Sequence, residues 1–104
     1  MIDNRQYVIG KFTPFDSEKI TVAGTSIGLT AAKLSSLPKP KKIFITVETA
    51  QCRYQFDGTD PDSTTGHLLS PTQSLVLEGY NQMNNIKFIR IGATSAVLQV
   101  SYLR

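Results

Sequence analysis

Apolar residues recur at every second position through the latter half of this chain, which is the period of a half-buried β-strand. Over residues 42–47, Ile43, Ile45 and Val47 share one face. Cys52, Tyr54 and Phe56 share a face in the next run, while Arg53 and Gln55 point the other way. Residues 74–78 put Leu75 and Leu77 together. Residues 86–91 are apolar on both sides, Ile86 and Phe88 opposite Ile89 and Ile91, as expected of a central strand. In the last run Ala96, Leu98, Val100 and Tyr102 oppose Gln99 and Ser101. Residues 19–23 and 26–29, around Gly24, are shorter strand candidates.

Turn-forming residues separate these runs. Residues 49–51 form a short link, 57–66 a long loop, and 79–85 a polar loop. Residues 92–95 read as a tight connection that pairs the last two strands as a hairpin. The one helical segment expected is 30–37, with Thr30 as cap, Leu34 and Leu37 three apart, and Pro38 as terminator. Six or seven short strands with one short helical turn predict an all-β, single-domain antiparallel β-sandwich, jelly-roll-like, with an open barrel as the alternative. Lys39, Lys41 and Lys42, with Pro38 and Pro40, read as protection of a sheet edge. Residues 1–16 are only weakly periodic, their apolar members being Tyr7, Ile9, Phe12 and Phe15. Residues 1–18 are therefore expected to form an N-terminal arm or edge strand, and residues 19–104 the sandwich.

A chain of 104 residues is one domain. It is long enough to bury about two thirds of its unfolded surface. At 40% hydrophobic and 18% charged it is globular, not disordered. The net charge of +3 is small, and only Lys39, Lys41 and Lys42 cluster, so no phosphate-tracking stripe is present and no specific nucleic-acid partner is expected. The single cysteine, Cys52, rules out an intrachain disulfide framework. The opening M-I-D-N-R-Q-Y lacks the pattern of a signal peptide, and no apolar run has the length of a membrane span. A soluble protein with no membrane partner is expected.

The segment R-Y-Q-F-D-G-T-D-P-D-S-T-T-G-H, from Arg53 to His67, concentrates the candidate chemistry. Asp57, Asp60 and Asp62 supply hard oxygen ligands, but D-x-x-D-x-D is not the alternate-residue spacing of a calcium loop and no glutamate closes it. Asp57-Gly58 and Asp60-Pro61 are turn signals, so a structured turn is expected and no metal. Cys52 alternates with Tyr54 and Phe56 and is expected in the core, not as a nucleophile. His67, beside Leu68 and Leu69, is expected as a packed histidine. No nucleophile elbow, phosphate-binding loop or zinc motif is present, so no enzyme and no cofactor are expected.

The same segment extends to R-Y-Q-F-D-G-T-D-P-D-S-T-T-G-H-L-L, followed by S-L-V-L-E-G, N-N-I-K-F-I-R-I-G and L-Q-V-S-Y-L-R. With G-L-T at 28–30 and I-T-V-E-T-A at 45–50, this resembles small tailed-bacteriophage virion accessory and decoration proteins. These are about a hundred residues long, with an R-[YF]-x-x-D-G-T-x-P-x-x-x-x-G-H-x-L core. The likeness runs from Thr21 to the C-terminus; Asp62 departs from it, standing where Thr or Ser is usual. It implies a non-enzymatic β-sandwich that decorates capsids or sits at head or tail vertices, in the virion and, during assembly, in the host cytoplasm. Its implied partners are the major capsid or other virion proteins and copies of itself, as a homo-oligomer.

The candidate partner-contact surface is Lys39, Lys41, Lys42, Asp60, Asp62 and Tyr80. Arg53 and Asp57 are expected to order the loop, by pairing with each other or through Arg53 and the loop backbone. The alternative function is a glycan- or receptor-binding module of a phage tail that displays residues 57–66. That alternative wants an exposed aromatic platform, yet the chain has no tryptophan and Tyr80 is its only obvious loop aromatic.

Overall fold

The computed structural model describes residues 11–104. Tyr7 and Ile9 of the expected arm lie outside the described residues. Among the described residues eight strands form two four-stranded antiparallel sheets. They are β1 (Pro14–Val22), β2 (Ile27–Gly28), β3 (Lys42–Glu48), β4 (Cys52–Gln55), β5 (His67–Leu69), β6 (Ser74–Glu78), β7 (Lys87–Arg90) and β8 (Ala96–Leu103). The first sheet has the order β1-β8-β3-β6 and the second β2-β7-β4-β5. That is the strand order of a jelly roll, two four-stranded sheets packed face to face.

The core follows the alternation. Ile20 and Val22 of β1, Ile43, Ile45 and Val47 of β3, and Ala96, Leu98, Val100 and Tyr102 of β8 are buried on the inner face of the first sheet. Cys52, Leu69 and Phe88 meet them from the second sheet. The Tyr102 hydroxyl, inside this layer, donates to Glu18, which also accepts from the amide and hydroxyl of Thr30. Burial pushes the Tyr102 phenol well above its ordinary pKa, and the Glu18 carboxylate adds to the shift.

Several expectations are corrected. Residues 86–91 and 96–103 do not pair as a hairpin: β7 lies beside β4 and β2, whereas β8 lies between β1 and β3. A strand of eight residues with one fully apolar face gains most from neighbours on both sides, so residues 91–95 cross between the sheets. The lysine segment protects no edge, because β3 is an interior strand flanked by β8 and β6. Its ladder even extends past Lys42, the Lys41 amide donating to Leu103 and the Gly79 amide to the Lys41 carbonyl. β1 starts at Pro14 and is an edge strand, so it straddles the boundary expected at residue 18.

Among the described residues there are two short helices, not one: α1 (Ala31–Ser35) and α2 (Tyr80–Asn85). Thr30 precedes α1, but its hydroxyl goes to Glu18 and makes no cap. Leu34 is buried while Leu37, beyond the helix end, is 82% exposed. In α2 the polar run Y-N-Q-M-N-N hides one apolar anchor, Met83, which is fully buried. A single anchor is too little for a periodicity signal. Strand β5 carries no periodicity signal for a similar reason, since Leu69 is its one buried residue.

Candidate functional site

The aspartate loop joins β4 to β5, neighbours in the second sheet. Each carboxylate has a local structural role. Asp57 Oδ1 accepts from the Thr59 amide at 3.1 Å and hydroxyl at 2.6 Å. Asp62 Oδ1 accepts from the amides of Thr64 at 2.8 Å and Thr65 at 2.7 Å, an Asx-type turn. Asp60 reaches out of the loop, accepting from the Ser26 hydroxyl at 2.7 Å with Lys87 Nζ at 3.2 Å. Among the described residues no three carboxylate, histidine or cysteine side chains converge as a metal would require.

Arg53 closes the loop from beneath. It donates through Nε to the Ser63 carbonyl and through Nη1 to the Gly66 carbonyl, both at 3.0 Å. Of the two arrangements expected for Arg53, the structure shows the one to the backbone and not a pair with Asp57. Gly66 has φ +129°, and an added Cβ would stand 3.0 Å from the Tyr54 carbonyl oxygen. Only glycine fits there.

These bonds set the acid–base properties of the loop. The carboxyls of Asp57, Asp60 and Asp62 are all held below the usual range. The leading causes are the Thr59 hydroxyl, the Ser26 hydroxyl and the Thr64 amide, respectively, with Lys87 adding to the shift at Asp60. Burial pushes the Cys52 thiol up to about 11, so it is not a thiolate near neutrality.

Three of the six expected contact residues come together elsewhere. Lys39, Lys41 and Tyr80 line a groove of about 590 Å³ whose apolar walls are Phe12, Leu37, Pro38 and Pro40. Lys39 Nζ stands 4.6 Å over the Tyr80 ring. Lys42 does not join this surface. It is 8% exposed, with Nζ 5.1 Å over the Phe12 ring and 3.9 Å from Glu78, so it is corrected to a structural residue. Asp60 and Asp62 stay with their own loop on the second sheet and do not line the groove.

The strand aromatics divide. Phe88 and Tyr102 are fully buried, but Phe44 is half-buried on the outer face of β3 and Phe56 is 41% exposed beyond the end of β4. His67 is exposed, with its ring 5.3 Å from that of Tyr54 and 5.7 Å from that of Phe56. The groove walls left one trace in the sequence. In L-P-K-P the two prolines prevent Leu37 from entering either a helix or a ladder that would bury it. No family model, no curated protein and no solved structure matches the chain.

Proposed function

We propose that the chain is a non-enzymatic structural protein of a bacteriophage virion, a capsid decoration or head–tail accessory protein that acts through many copies of one protein–protein contact. The observation that carries this reading is the groove. Leu37 offers an almost wholly exposed apolar side chain beside Pro38 and Tyr80, Lys39 and Lys41 flank them, and Glu78 on the same lining faces Lys42 at 3.9 Å. An apolar centre with a charged rim is the anatomy of a protein interface. Cations on the rim fit an acidic surface on a coat subunit. The sequence likeness from Thr21 onward supports the virion setting, and the jelly-roll frame is one that capsid proteins use among many others.

Sedimentation of phage heads lacking the protein, with purified protein added back, tests the reading. Binding should saturate at a copy number set by the symmetry of the shell, because equivalent sites repeat. Leu37→Asp should abolish occupancy. Replacing Lys39 and Lys41 with alanine should slow association more than it lowers final occupancy, since rim charges act chiefly on the encounter. Absence of saturable binding to heads, or occupancy indifferent to Leu37→Asp, would overturn the proposal.

A further inference from the structure

The edge of the second sheet carries a different kind of site. Tyr54 and His67 are directly opposed in the β4–β5 ladder. Phe56, one residue beyond β4, completes a triangle of rings with centroids 5.3–6.3 Å apart and planes tilted by 31–38°. Against them lies a small open cavity of about 130 Å³, lined by Gln55, Phe56, Asp57 and His67. It is too small for a drug-sized molecule, whose pockets run to several hundred Å³, but it is open, so one face of a single ring can rest in it.

The polar groups at this cavity have bonding capacity to spare. Thr59 occupies Asp57 Oδ1 and leaves Oδ2 open. Among the described residues the side chains of Gln55 and His67 make no hydrogen bond. Asp57 is held by its bonds from Thr59, and the Arg53 bond to the Gly66 carbonyl fixes the backbone next to His67. Preorganised groups lose little freedom when a ligand arrives.

Charge selects the ligand class. The Asp57 carboxylate opposes an anion. A cation finds little free negative charge, because Lys87 already matches Asp60 at 3.2 Å and Thr59 occupies one oxygen of Asp57. Donors and acceptors are both present, as a carboxamide, an imidazole and a carboxylate. A hydroxyl group uses both. The exposed Phe56 ring offers an apolar face for the C–H surface of a ring that carries such hydroxyls.

The geometry points to a binding site for a neutral pyranose, one unit of a surface polysaccharide, stacked on Phe56 with its hydroxyls on Asp57, Gln55 and His67. One such site is weak, with dissociation constants on the order of millimolar. Display in many copies turns weak sites into firm attachment. The inference concerns isolated protein and does not rest on the virion reading.

Saturation-transfer NMR tests it, using the methyl pyranosides of glucose, galactose, mannose and N-acetylglucosamine at millimolar concentration, with tetramethylammonium as the cationic comparison. At least one pyranoside should receive saturation, strongest at the C–H protons of one ring face. Phe56→Ala and Gln55→Ala should each weaken the effect by about tenfold, and Phe56→Trp should preserve it. Gln55 is the last, half-buried residue of β4 and its side chain makes no hydrogen bond among the described residues, so its variant keeps the test valid if Phe56→Ala proves poorly folded. Transfer to none of the four, transfer unchanged in both alanine variants, or transfer to tetramethylammonium alone would overturn the assignment. Head binding by Phe56→Ala should match that of the parent protein, which separates failure here from failure of the virion reading.

Discussion

The Arg53 guanidinium donates through Nη1 to the carbonyl of Gly66 at 3.0 Å, so a side chain of β4 fixes the far end of the loop that β4 begins. A second bond, from Nε to Ser63, makes this a two-point clamp on thirteen residues of chain. Arg53→Ala removes both charge-assisted donors from carbonyls that then depend on water. It should cost about 1–2 kcal/mol. Gly66→Ala should cost more, about 3 kcal/mol, because φ +129° and the Tyr54 carbonyl both resist a Cβ. Denaturant unfolding measures both, and a smaller loss for Gly66→Ala than for Arg53→Ala would contradict this account.

Acid should loosen the loop before the core. Asp57, Asp60 and Asp62 hold their carboxyls below the unfolded value, as does Asp16 through Lys33, so the unfolded chain binds more protons as pH falls. The stabilisation is complete above the unfolded carboxylate pKa of about 3.9 and is lost as pH drops through the folded values beneath it. Amide exchange followed by NMR should show Thr59, Thr64 and Thr65 losing protection below about pH 4. Asp62→Asn should remove the acid response at Thr64 and Thr65 while leaving it at Thr59.

Cys52 is fully buried between the sheets. With its thiol pushed up to about 11, it should react with a bulky disulfide reagent only as fast as the protein unfolds. Labelling across a denaturant series should track global unfolding. Rapid labelling in native buffer would place Cys52 on the other face, which a one-residue slip of β4 produces.

The three lysines should separate by experiment. Lys42 is 8% exposed with its ammonium over the Phe12 ring, so Lys42→Ala should destabilise by about 1 kcal/mol through lost packing of its stem. Lys39→Ala and Lys41→Ala should change stability by less than about 0.5 kcal/mol, as exposed substitutions do. Thermal melts settle the order.

Thr49 sits at φ 78° where β3 turns into β4, and the Ala50 amide donates to the Glu48 carbonyl across it at 2.9 Å. A three-residue turn of this hand is strained for a β-branched residue. Thr49→Gly should raise stability by about 0.5 kcal/mol, the relief exceeding glycine's entropy cost. A lower melting point would show that the Thr49 side chain contributes more than its backbone costs.

Local order was legible in the sequence to the extent that it is local. The alternation of Ile43, Ile45 and Val47, and of Ala96, Leu98, Val100 and Tyr102, specified both strands and the face each buries, because burial on a pleated strand has period two. Turn chemistry at Asp57-Gly58 likewise specified an ordered turn, since the bonds from Thr59 to Asp57 span only two residues. Strand partners were not legible. Whether residues 91–95 close a hairpin or cross between sheets depends on what else can cover β8, and that is decided only when β1 and β3, distant in sequence, arrive on either side of it. The sites share this dependence. Phe56 continues the period of Cys52 and Tyr54, yet the sandwich ends before reaching it, so the same alternation that buries Cys52 leaves Phe56 beside His67 at an open rim. Lys42 shows the converse, a charged residue on the outer face of β3 that is nearly out of solvent, with its ammonium over the Phe12 ring.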